Sequence, residues 1–303
     1  MAAIRYLKRY EIDTAKWDAC VDTAVNGLVY GYSYYLDAMC SNWDGLVLDD
    51  YAAVMPLPWR KKWGIRYVYH APFLQRLGIY GNNITVDAVN VFYNIVIREF
   101  PYINFTVSPP APATSARLKQ RTNFFIDLNK PYAQIAAAYT EECRANITKA
   151  KKRGCTFTDN LPPEFIIKLY HEAYGHLQVR NSTETFERML RLLADASRSG
   201  NVRLCGVTDG SGNVVFGAAI FLDARRLYYV LGAPTETGRQ KRATYFFIDH
   251  LLKSYAGQHL LFDFEGSDLP NVATFYQKFA PETERYFQIT INRLPAPLRW
   301  LVK

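Results

Sequence analysis

Two carboxylates separated by one residue, Asp263 and Glu265, end the apolar run Leu260-Leu261-Phe262 and stand just before a Gly266-Ser267 turn. If the run is a strand, alternation turns both acids to one face and Phe262 and Phe264 to the other. Acids at the exit of a buried strand are costly to desolvate unless they meet a ligand, a hydrogen-bond donor or water. The chemistry they offer is to orient a nucleophile or to accept its proton. A purely structural role also accounts for them, with Glu265 as a cap or ion-pair partner and Asp263 as an acceptor of backbone N–H groups. Val272, Phe275 and Phe279 then mark one side of a helix over 268–279, which also carries Tyr276. Packing against that helix would explain Tyr276 without any chemistry.

Other chemistries lack their residues. The chain has no G-x-x-x-x-G-K-[ST] loop, no G-x-G-x-x-G after a strand and no G-x-S-x-G elbow. His70, His171, His176, His250 and His259 show no metal-ligand spacing. Five cysteines without C-x-x-C spacing read as reduced thiols in a cytoplasmic protein. The sequence shows no secretory leader and no run of about 18 uncharged apolar residues that would span a membrane. Glycosylation at the four Asn-x-Ser/Thr sites, Asn83, Asn104, Asn146 and Asn181, is therefore not expected. A net charge of +8 over 303 residues favours an anionic partner, although scattered surface cations explain it as well.

The elements that would position the acids repeat. In the second half, helices over 163–177 and from Ser182 or Thr183 to Gly200 precede strands over 202–208 and 213–222, joined by Asp209-Gly210-Ser211-Gly212. A strand over 226–231, a polar loop over 235–242 and a helix over 243–255 lead to the strand with the two acids. A last strand covers 285–292. The first half shows the same order: a hairpin over 46–57, a strand over 66–69, a loop, a helix over 86–99, a strand over 102–107 and a closing strand over 123–127. Between them, a helix over 132–153 ends in Arg144, Lys149, Lys151, Lys152 and Arg153. These cations either complement the helix dipole or grip an anion. The expected organisation is an α/β (α+β) chain of two tandem domains, each a mixed, largely antiparallel sheet flanked by helices. The domains cover 1–128 and 155–303, with a connecting basic helix over 129–154.

This order resembles the GNAT superfamily of N-acyltransferases. More closely, it is similar to the tandem-domain branch typified by the Fem aminoacyltransferases of peptidoglycan cross-bridge synthesis. Arg144-Ala145-Asn146-Ile147-Thr148-Lys149-Ala150-Lys151-Lys152-Arg153-Gly154 resembles that branch's R-x-x-I-x-K-A-x-x-x-G segment. Phe262-Asp263-Phe264-Glu265-Gly266-Ser267 resembles its D-F-x-G-S strand end, and Phe275-Tyr276-Gln277-Lys278-Phe279 its F-K-x-x-F-G helix end. Met55-Pro56-Leu57-Pro58 and 72–78 look like first-domain features. The family's helix-end lysine falls on Tyr276 here, and its glycine on Ala280. The GNAT acyl-CoA loop, Q/R-x-x-G-x-G/A, is missing between Thr235 and Thr244, where Gly238-Arg239-Gln240-Lys241-Arg242-Ala243 has charge without the glycines.

The resemblance implies transfer of an activated acyl or aminoacyl group to an amine acceptor, with no covalent enzyme intermediate and no permanently bound cofactor or metal. The donor would be acyl-CoA or aminoacyl-tRNA, the second making tRNA a partner. Asp263, Glu265 and Tyr276 are the catalytic candidates. Arg144, Lys149, Lys151, Tyr229 and Ser267 are candidates for substrate binding, and Arg239, Lys241 and Arg242 for the donor's phosphates. An acyl-CoA-dependent N-acetyltransferase and an inactive binding protein of the same duplicated fold remain the alternatives. Nothing in the sequence sets the oligomeric state.

Overall fold

The computed structural model describes residues 3–110, 117–174, 182–266 and 269–299. The chain begins with β1 (Ile4–Lys8), α1 (Thr14–Thr23), α2 (Ser33–Met39), β2 (Trp43–Leu48), β3 (Ala53–Lys62), β4 (Ile65–Tyr69), β5 (Tyr80–Gly81), α3 (Val86–Glu99) and β6 (Tyr102–Val107). It continues through β7 (Arg117–Asp127), α4 (Tyr132–Ala137), α5 (Glu141–Lys152), β8 (Thr156–Asp159), α6 (Pro163–Tyr174), α7 (Thr183–Arg198), β9 (Val202–Thr208), β10 (Val214–Leu222) and β11 (Arg226–Pro234). Next come α8 (Glu236–Lys241), α9 (Ala243–Tyr255), β12 (Leu261–Asp263), α10 (Pro270–Gln277), β13 (Glu282–Asn292) and α11 (Ala296–Arg299). Two units result, one of Met1–Arg121 with Arg285–Lys303 and one of Thr122–Glu284.

Within the first unit β1, β2, β3 and β4 form an antiparallel run, β4 pairs β6 in parallel across α3, and the 287–292 part of β13 closes antiparallel on β6. Within the second, β8, β9, β10 and β11 run antiparallel, β11 pairs β12 in parallel across α8 and α9, and the end of β7 closes antiparallel on β12. Each unit thus has a mixed, largely antiparallel sheet flanked by helices, as expected. The closing strands differ from expectation, however. The strand over 123–127 pairs with β12 of the second unit, and the strand over 285–292 pairs with β6 of the first. Each unit therefore takes its last strand from sequence assigned to the other half. The free edge of a parallel strand accepts any antiparallel partner with a matching apolar pattern, and local sequence does not say which copy that is.

Other differences are local. The helix expected over 132–153 is broken at residues 138–140. There the Thr140 side chain accepts from the Cys143 N–H to start α5, and the Thr140 N–H donates to the Lys278 carbonyl at 3.0 Å. The residues given to that connecting helix belong to the second unit. The loop expected over 235–242 is mostly helix α8, capped by Thr235 on the Gly238 N–H. The helix expected over 163–177 is described to Tyr174, and His176 lies outside the described residues. All five cysteines are free and buried, and no helix among the described residues is long and apolar enough to cross a membrane.

The second unit's core gathers Phe216, Phe247, Leu251 and Phe262 between the sheet and α9. Its sheet is opened by two irregularities. Only Arg226–Tyr228 of β11 pair with β12, because Phe264 follows β7 instead, its N–H donating to the Phe124 carbonyl at 2.9 Å. Glu265 and Gly266 then turn away with positive φ of 66° and 55°. On its other side β11 carries an extra residue, Val230, where its register with β10 shifts between Ala219 and Ile220. β11 continues to Pro234 with no partner on the β12 side among the pairings of the described residues.

Gly238 closes this arrangement, since a Cβ there would lie 2.0 Å from the Val215 carbonyl oxygen of β10. Gly238→Ala is expected to lower stability by about 1–3 kcal/mol as α8 is pushed off β10. Urea unfolding measures the loss, and unchanged stability would show that α8 does not pack this tightly.

Candidate functional site

Where β11 and β12 part, the second unit holds a pocket of about 600 Å³. Tyr229, Val230, Gly232 and Pro234 of β11 form one wall, and Phe264, Glu265 and Gly266 beyond β12 form another. Tyr170 and Tyr174 of α6, Thr244 in the first turn of α9, Leu269 just before α10, and Asn271, Val272, Phe275 and Tyr276 of α10 complete it. No lysine or arginine lines it among the described residues. No group of His, Cys, Asp and Glu suited to a metal occurs among them either.

The two acids read as a pair in the sequence have different surroundings. Asp263, 1% exposed, accepts from Asn123 Nδ2 at 2.9 Å, from the Glu265 N–H at 2.8 Å and from Arg226 Nη1 at 2.8 Å. Arg226 also donates to both oxygens of Glu284 at 2.7 and 3.1 Å, and Asn123 reaches Glu284 at 2.8 Å. Burial would lower the Arg226 pKa, but Asp263 and Glu284 outweigh it and raise the value. Asp263 is thus tied into a buried ion network that anchors the start of β11 to β12 and β7. Strand alternation does not place Glu265, because β12 ends at Asp263 and Glu265 adopts a left-handed backbone conformation.

Glu265 lines the pocket, and its Oε1 is sealed from solvent. Burial, and then the neighbouring Glu284 carboxylate, hold its pKa well above the ordinary value of 4.5. Below 4.5 both folded and unfolded chains carry this proton. Above it the unfolded chain releases the proton first, so this group's contribution to stability is lost as pH rises through the folded pKa.

Four tyrosines, Tyr170, Tyr174, Tyr229 and Tyr276, line the pocket with the acid. Tyr276 tilts on Phe264 with ring centroids 4.6 Å apart, and its hydroxyl is pushed up first by burial, then by Tyr174, Tyr170 and Glu265. Tyr229 is raised by burial and by Tyr276, Tyr174 and Tyr170 in turn. The four phenols line the same pocket.

The remaining expected residues lie elsewhere. Arg144 is held by the Tyr139 and Ala137 carbonyls. Lys151 pairs with buried Asp249 at 3.1 Å, which also accepts from the Tyr132 hydroxyl at 2.6 Å. Lys149 is exposed on α5. None of these three lines the pocket. Lys241 reaches the Arg153 carbonyl at 3.4 Å and Asp209 at 3.8 Å, and Arg242 joins α8 to α9 with a φ of 65°. Arg239 is exposed; burial raises the Tyr174 pKa and the Arg239 charge partly opposes that rise, so Arg239 stands near Tyr174. Ser267 lies outside the described residues. Sequence reasoning missed Tyr170, Tyr174, Arg226, Glu284 and Asn123. Two tyrosines four apart on one face of α6 were a usable signal for the first pair, whereas Glu284 and Asn123 lie far from Arg226 in sequence.

Arg226→Leu would leave buried Asp263 and half-buried Glu284 without their cation. The expected cost is about 3–5 kcal/mol, read by chemical unfolding at neutral pH. A loss below 1 kcal/mol would mean that the network does not hold the strands.

No protein-family model matches the chain, and no curated protein does. Among solved structures it is similar to FemX, with a TM-score of 0.69 at 12% identity over 98% of this chain and 99% of that one. It is also similar to the C-terminal domain (DUF2156) of a putative lysylphosphatidylglycerol synthetase from Agrobacterium fabrum, with a TM-score of 0.59 at 10% identity over 95% and 94% of the two chains. The structure of L-PGS from Bacillus licheniformis gives 0.57 at 13% identity over 95% of each. The chain has a FemX-like fold.

Proposed function

We propose that the protein is an N-acyltransferase that moves an activated acyl or aminoacyl group onto an amine in the pocket of the second unit. The observation that carries the reading is the position of Glu265, a desolvated carboxyl at the point where two parallel strands part. FemX-like folds with this chain's full coverage support the reaction class.

An amine arriving as an ammonium ion brings the charge that the empty pocket lacks. Its presence favours the Glu265 carboxylate, so a single proton is shared between nitrogen and carboxyl. With that proton on Glu265, the nitrogen lone pair attacks the acyl carbonyl and forms the N–C bond. The tetrahedral intermediate carries its negative charge on the former carbonyl oxygen, and in this reading the Tyr276 hydroxyl donates to it. Collapse breaks the bond to the leaving thiolate or ribose oxygen, which takes the second nitrogen proton. Asp263 acts by holding the Glu265 backbone through its N–H. Arg239, beside Tyr174, is the one of the three expected phosphate ligands placed to meet an anionic donor outside the uncharged pocket. Lys241 is already engaged by Asp209. The donor, CoA thioester or aminoacyl-tRNA, is assigned by reaction and not by these contacts. Amine acylation inside the cytoplasm, with tRNA as a partner if the donor is aminoacylated, belongs to the same reading.

Incubation with CoA thioesters or aminoacyl-tRNAs and a panel of primary amines, read by mass spectrometry, is expected to give N-acylated amine. No transfer from either donor class by folded protein would reject the reading. Glu265→Gln is expected to lower kcat by about a hundredfold or more. Wild-type kcat/KM should rise with pH through the elevated Glu265 pKa, and the variant should lose that limb. An unchanged rate and profile would remove Glu265 from the chemistry.

A further inference from the structure

The pocket's lining is more specific than acyl transfer requires. Six aromatic rings, Tyr170, Tyr174, Tyr229, Phe264, Phe275 and Tyr276, line the pocket together with the carboxyl of Glu265. The rings come from three directions. Tyr170 and Tyr174 stand edge to face on α6 with centroids 5.2 Å apart, Phe275 and Tyr276 are 5.8 Å apart on α10, and Tyr276 lies 4.6 Å from Phe264 beyond β12. Tyr229 approaches from β11, its hydroxyl held where Gly232 leaves room, since a Cβ there would lie 2.1 Å from that oxygen. An aromatic face carries partial negative charge and attracts a cation within about 6 Å of its centroid. Phenol oxygens and a carboxyl add acceptors for N–H donors.

An anion would meet ring faces and an acid with no cation in the lining. A purely apolar ligand would desolvate four phenols and a carboxyl without replacing their hydrogen bonds. A primary ammonium group meets both demands, with its charge over the rings and three donors toward the oxygens.

We infer that this pocket is an aromatic cage for a primary ammonium group, with Glu265 as its anionic base. The inference names the substrate class for the proposed transfer and rests on that reading only for the transfer step. Two substrates present the same group: the acceptor amine, and the α-ammonium of an aminoacyl donor.

Calorimetric titration of the full chain at neutral pH with n-pentylamine, n-pentanol and alanine methyl ester tests it. n-Pentylamine or alanine methyl ester should bind at least about fivefold more tightly than n-pentanol. The tighter of the two ammonium probes assigns the group to acceptor or donor. Tyr174→Leu should weaken the ammonium probe by about fivefold, whereas Tyr174→Phe, which keeps the ring, should stay within about twofold. The amine-against-alcohol contrast needs no variant and so survives a Tyr174→Leu chain that fails to fold. Equal affinity for amine and alcohol, or no binding of either ammonium probe, overturns the cage. The two readings fail separately, because transfer without ammonium preference removes the cage alone, and ammonium binding without transfer removes the enzyme alone.

Discussion

Between β11 and β12 only Arg226–Tyr228 and Leu261–Asp263 are paired, and Arg226 bridges the two strands through Asp263 while holding Glu284. Everything at the site follows from that short tether. A longer parallel pairing would close the space between the strands, and a shorter one would leave nothing to hold them in register. The departure is enforced from both sides. Phe264 keeps its hydrogen bond to Phe124 of β7, while the extra residue Val230 bends β11 against β10. The pocket is thus built from backbone geometry, and the side chains that fill it come from four helices and strands.

The same tether sets the electrostatics. One guanidinium is shared by two carboxylates, Asp263 and Glu284, and Asn123 Nδ2 donates to the other oxygen of Asp263 and to the Glu284 Oε1 that Arg226 also reaches. Burial first, and the Glu284 charge second, hold the Glu265 pKa well above the ordinary value. A cation brought close to such a carboxyl would favour its charged form. The surroundings that looked interchangeable along Asp263-Phe264-Glu265, an ion network for Asp263 and a pocket wall for Glu265, are separated by two residues of backbone and one left-handed turn.

Much of this was legible in sequence. Hydrophobic periodicity placed α3, α7, α9 and the β9–β10 hairpin, because their apolar stripes and caps are local. The acids were found because Asp263 and Glu265 interrupt an apolar run. What was not legible depends on distant partners. Arg226 reads as a surface cation until Asp263 and Glu284 are beside it, and the closing strands of the two units exchange because either pattern fits either edge. The basic segment around Arg144 and Lys151 looked like an anion grip, yet these two side chains are spent on carbonyls and on Asp249. Charge density along a helix does not reveal that its partners are buried on a neighbouring element. Tyr170 and Tyr174 escaped because tyrosines on an amphipathic helix are ordinary packing residues unless the facing wall is known.

The central claim is that Glu265 is a proton-holding carboxyl in a cage that admits an ammonium ion. Carbon NMR of the Glu265 side-chain carboxyl, assigned by its loss in Glu265→Gln and titrated with and without n-pentylamine, tests it most directly. The expected result is an inflection well above the ordinary glutamate range in the free protein that moves down when the amine is bound. An ordinary inflection in the free protein, or one indifferent to the amine, would contradict the account.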